Sequence, residues 1–134
     1  MPDLNETRSV LETAFINGWG ATTPIKHENV VFDDRGISAF VSVKMINYVS
    51  DNVCIGSVDN KRIRHTGALH VKIYTKQNIG AGSAYDYADQ VRGIMDNLLI
   101  GDLFTKASTS RVMGETEDGW FVTIVETPYS SDEQ

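Results

Sequence analysis

The sequence predicts an α+β fold in which helices lie across a β-sheet, and three observations predict it. In Gly67 to Tyr74, Leu69, Val71 and Ile73 share one face while His70 and Lys72 share the other, the period of a half-buried strand. After Ile79-Gly80-Ala81-Gly82-Ser83, the residues Ala84, Ala88, Val91, Met95 and Leu98 step by four, three, four and three, one apolar stripe down a helix. Trp120 to Thr127 sets Trp120, Val122 and Ile124 against Phe121, Thr123 and Val125, and apolar residues on both faces fit a central strand. A strand face and a helix stripe bury each other most economically.

The remaining elements follow in order. Asp3 and Glu6 are spaced as a capping pair for a first helix, with Leu4, Thr7, Leu11, Ala14 and Phe15 as its inner stripe and Val10 at the margin. Glu6, Arg8, Glu12 and Asn17 face water, and the helix ends near Gly18. Trp19 to Pro24 reads as a turn-rich connector. Ile25 to Phe32 reads as a short extended segment closed by the polar turn Asp33-Asp34-Arg35-Gly36. Ile37 to Val49 is a long strand whose Phe40, Ser42, Lys44 and Ile46 face is unusually apolar, and Asn52 to Thr66 is a hairpin. Ser83 is the expected cap of the second helix and Gly101 its left-handed stop. Leu103 to Val112 gives one or two short segments, and Gly114 to Gly119 is an acidic turn. Pro128 ends the last strand, leaving 129–134 as a flexible tail of a single domain spanning 1–134.

Composition narrows the function. The 134 residues are 41% hydrophobic and 22% charged, ordinary for one globular core. No apolar run approaches the roughly 20 residues of a membrane span, and Met1 to Glu6 lacks the basic-then-apolar order of an export signal. The single cysteine, Cys54, excludes an internal disulfide and reads as a buried strand thiol. A formal charge of −6 argues against a general phosphate-binding surface, while leaving room for a local basic patch.

Candidate chemical groups are sparse. Lys26-His27-Glu28 has no partner acid, nucleophile or metal-spaced ligand beside it. Gly80-Ala81-Gly82-Ser83 lacks the Lys-Ser or Lys-Thr of a P-loop and the third glycine of a dinucleotide fingerprint. The acidic turn needs more carboxylates to hold a hard cation. His65, His70 and Cys54 show no partner constellation for acid-base work. No catalytic residue, cofactor or metal is therefore expected.

A set of segments in fixed order does carry a likeness. Phe15-Ile16-Asn17-Gly18-Trp19 closes the first helix, and Thr23-Pro24-Ile25 is followed by Asn29-Val30 and Phe32. Phe40-Val41-Ser42-Val43 and Arg64-His65-Thr66-Gly67 come next, the latter leading into Leu69-His70-Val71-Lys72-Ile73-Tyr74. Gly80 to Ala84 then opens the Ala88-Asp89 helix, and Gly119-Trp120-Phe121-Val122 closes the pattern. Together these resemble the tail-terminator (tail-completion) proteins of long-tailed bacteriophages. The sequence departs from that family's pattern after Pro24-Ile25, where Lys26-His27 stand in place of a common aromatic.

The resemblance implies a mostly antiparallel sheet carrying two main helices, in a subunit of a hexameric ring. Such a ring caps the finished tail tube, stops its polymerisation and meets the head-completion or connector proteins. It leaves a channel through which DNA passes without sequence-specific binding. It implies a virion protein at the head-proximal end of the tail, assembled in the host cytoplasm, with no membrane and no enzymatic activity. Lys26, His27, Phe32 and Asp34, with Asp59, Asn60, Lys61, Arg62 and Arg64 of the basic hairpin, are the candidate axial contacts. Phe40, Ile46 and Tyr48 are the candidate contacts between subunits. A tail-tube or neck-connector subunit is the neighbouring reading, and a small-ligand or enzymatic domain the reading from another class.

Overall fold

The computed structural model describes residues 4–20, 22–27, 36–52, 63–76, 82–101, 103–115 and 119–133. Two helices, α1 (Leu4–Trp19) and α2 (Gly82–Met95), pack on one face of a seven-stranded mixed sheet, an α+β arrangement. The strands are β1 (Ile25–Lys26), β2 (Ala39–Asn52), β3 (Ile63–Lys76), β4 (Leu99–Ile100), β5 (Leu103–Thr105), β6 (Thr109–Glu115) and β7 (Trp120–Glu133). Their order is β1-β2-β3-β7-β5-β4, with β6 also on β7. Only β1 and β2 pair in parallel among the described residues.

The core forms where the predicted stripes meet. Leu69, Val71 and Ile73 of β3 are fully buried beneath Leu11 and Phe15 of α1 and Ala88, Val91 and Met95 of α2. Val41 and Val43 of β2 and Val125 of β7 complete the layer. The helices approach closely at Gly18, where an added Cβ would stand 2.6 Å from Ile94 Cγ2.

Several expectations are corrected. Trp19 is no connector residue: it is 2% exposed, ends α1, lies 5.4 Å from Phe15 between ring centroids, and donates through Nε1 to Thr23 Oγ1 at 3.1 Å. The helix ends at Trp19, near Gly18 as expected, and Gly20 follows with a φ of 60° that suits a residue without a Cβ and an amide that bonds Ile16 O at 2.9 Å. Glu12 does not face water; it is 8% exposed, and Arg8 Nη1 donates to it at 2.6 Å. Asn97, at φ 54°, takes the left-handed position after α2, whereas Gly101 lies in the turn between β4 and β5.

The largest correction concerns the tail at 129–134. β7 does not end at Pro128 but runs to Glu133, and Tyr129, Ser130 and Ser131 are buried. Proline's missing N–H falls where it does no harm. Pro128 O accepts from Lys106 N at 2.8 Å, so residue 128 points its polar groups to the far edge of β7, at the interval between β5 and β6. Tyr129 then fits against Gly67, its register partner, and its hydroxyl donates to Met45 Sδ at 3.5 Å.

Candidate functional site

No described helix covers the other face of the sheet, termed the open face, and strand alternation decides what stands there. In register across it, one row runs Lys26, Ser42, Lys72, Ile124, Arg111, and the next runs Lys44, His70, Glu126, Thr109. Lys76, opposite Trp120, shares this face. The face thus carries Lys26, Lys44, Lys72 and Arg111 in the two rows that include Glu126, with Lys76 at the end of β3. Lys26, Lys44, Lys76 and Arg111 are exposed and Lys72 is half-buried.

His70 sits at the centre of this group, and its Nε2 is buried without a hydrogen-bond partner. Burial holds its pKa below the ordinary 6.5; Glu126 opposes the lowering, and Lys72, Arg111 and Lys44 add to it. His70 is neutral at pH 7, so the face owes its charge to lysine and arginine.

An aromatic cluster closes one end of the same face. Phe40 stacks on Tyr74 with centroids 4.4 Å apart, and Trp120 meets Phe40 edge-on at 5.0 Å. Burial raises the Tyr74 pKa above 10.0. Phe40 is 4% exposed. Within its own subunit it is covered by Tyr74, its register partner on β3, and by the edge-on ring of Trp120 from β7. Ile46 is half-buried on the open face; the Tyr48 side chain lies outside the described residues.

Of the expected axial residues, Lys26 and His27 are exposed at and just after β1. Arg64 is exposed in β3, opposite Asp51 and Asp132. Phe32, Asp34, Asp59, Asn60, Lys61 and Arg62 lie outside the described residues, as do Cys54 and the tip of the basic hairpin.

No family model matches the chain, and no curated protein matches it. Among solved structures, one that bears only a sequence identifier as its name superposes with a TM-score of 0.63 at 13% identity. The match covers 92% of this chain and 94% of that one. At that identity the likeness concerns the fold alone.

The other chemically suggestive pair is Ser50 and His65, whose Oγ and Nδ1 are 2.7 Å apart. His65 is 7% exposed and has a further interaction besides Ser50, so the pair ties the ends of β2 and β3 together. Among the described residues no group of His, Cys, Asp or Glu is arranged to hold a metal, and no helix is long and apolar enough to cross a membrane.

Apolar exposure concentrates on one sheet edge. Leu99 and Phe104, paired across β4 and β5, are 76% and 37% exposed, and Val112 and Met113 of β6 are 50% and 60% exposed. Beside them, Ile100 and α1 residues Val10, Thr13 and Ala14 line a shallow groove.

The basic face was invisible in sequence because its cations come from five separate positions, 26, 44, 72, 76 and 111. The available signal was the alternation His70, Lys72, Tyr74, Lys76 on the outward side of one strand.

Proposed function

We propose that this protein is a structural ring subunit of the tail-terminator kind, capping the tail tube of a long-tailed phage and meeting the head-completion proteins. The observation that carries the proposal is the apolar sheet edge of Leu99, Phe104, Val112 and Met113. An exposed apolar edge invites pairing and aggregation in a monomer, and it serves a subunit whose neighbours cover it.

Two further features support the reading. Of the ordered segments that resemble the family, those on α1, β2, β3, α2 and β7 supply most of the core, while Asn29, Val30 and Phe32 lie outside the described residues. Of the axial candidates, the described Lys26 and Arg64 also stand toward opposite ends of β2. Lys26 is in register with Ser42 and Arg64 with Asp51, nine residues along, a separation of roughly 25–30 Å at strand rise. A terminator needs two unlike axial ends, one for the tube and one that refuses the next tube subunit.

Electron microscopy of particles made without this protein tests the proposal. Shafts of uncontrolled length that fail to join heads are the expected outcome. Shafts of fixed length joined normally to heads would overturn it, and tubes growing from the purified protein would identify a tube subunit instead.

A further inference from the structure

Among the described side chains, the sheet face away from the helices is basic and the exposed helix surface is acidic. The open face carries Lys26, Lys44, Lys72, Lys76 and Arg111 with Glu126 among them, and Arg64 farther along β3. On the helix side, Arg8 and Glu12 neutralise each other, and the exposed charges of α1 and α2 are then Glu6, Asp86 and Asp89 against Arg92.

We propose that the open basic face of one copy seats on the acidic helix layer of a second copy, a head-to-tail contact between unlike surfaces. Charge decides the pairing. Two basic faces repel, so a twofold contact through this face is disfavoured, whereas face on helix layer brings opposite signs together.

Nucleic acid fits the face less well. Glu126 stands among the cations, where it would repel phosphate, and Phe40, Tyr74 and Trp120 are spent on one another and offer no stacking platform. Head-to-tail contacts either close or run on as filaments. Closure here rests on the ring proposed above, while the contact itself rests on the charges.

Light scattering of the purified protein, with sedimentation as a second readout, tests the contact. Wild-type protein should associate at about 0.05 M salt and dissociate at about 0.5 M, where screening is short-ranged. The exposed pair Lys44→Glu/Arg111→Glu should weaken association at least about tenfold, as should Asp86→Lys/Asp89→Lys. Mixing the two variants should restore it, because the reversed face of one copy then matches the reversed helix layer of the other.

Circular dichroism verifies that each variant is folded, and the salt series on wild-type protein stands without any variant. A wild-type monomer at low salt, association indifferent to salt and to both variants, or binding of a short DNA duplex by this face in place of self-association would each overturn the contact. Association that ignores these charges would leave the ring reading standing. Normal particles made without the protein would remove the ring and leave the contact.

Discussion

Thr105 fastens the end of α2 to the sheet. Its hydroxyl donates to Met95 O and accepts from Leu98 N at 2.7 Å, two backbone groups that the helix leaves without internal partners. Thr105→Val keeps the shape and removes both bonds. Denaturant titration should show a loss of about 1–3 kcal/mol, with the slope of the transition unchanged.

Gly18→Ala sets two effects against each other. Alanine in a helix gains up to about 1 kcal/mol over glycine. Here its methyl would stand 2.6 and 2.9 Å from Ile94 Cγ2 and Cγ1, closer than carbon atoms pack. The expected result is net destabilisation in wild-type protein and neutrality or stabilisation in an Ile94→Ala background. Thermal melts of the four proteins in this cycle check the change of sign.

His70 makes stability depend on pH in a defined direction. Its folded pKa lies below 6.5, chiefly through burial, with Glu126 of β7 opposing and Lys72 of β3, Arg111 of β6 and Lys44 of β2 reinforcing. As pH falls through 6.5, the unfolded chain takes up a proton that the folded protein refuses, so stability declines until the lower folded pKa is passed. Chemical melts between pH 7.5 and 5 should show this decline in wild-type protein and a flatter curve in His70→Gln. His27 and His65 are common to both proteins, so the difference between the curves isolates His70.

Phe40→Ala tests whether that ring serves the fold or a neighbour. Packed against Tyr74 and Trp120, its loss should cost about 3 kcal/mol or more. Particle mass at a given salt concentration should not change, whereas a Phe40 seated on an adjoining subunit would alter it.

Periodicity carried the fold where one face or stripe was strictly apolar. Leu69, Val71 and Ile73, and Ala84, Ala88, Val91 and Met95, were legible because their spacing matches one period each and their neighbours are polar. Local rules failed where tertiary partners overrode them. Pro128 reads as a strand end, yet its missing donor faces an interval in the ladder; Trp19 reads as a turn, yet a pocket of aromatic neighbours and Thr23 takes it into the core. Gly101 reads as a helix stop, but Asn97 reaches the left-handed conformation first.

The open face was beyond sequence reasoning for a different reason. Its cations are adjacent only after β1, β2, β3 and β6 are aligned, and register is a property of pairing and not of any one segment. Lys61, Arg62 and Arg64 are legible as a basic patch because they fall within four positions, whereas the cations of the open face are dispersed through an acidic chain.

β7 joins both halves of the sheet, pairing with β3 along one side and with β5 and β6 along the other. It is also the last of the described strands to leave the ribosome. At about 5–20 residues per second, β3 waits roughly 3–11 s for β7 to be completed, with its valine- and isoleucine-rich face uncovered meanwhile. Nascent chains arrested before Trp120 are therefore where chaperone dependence will be greatest.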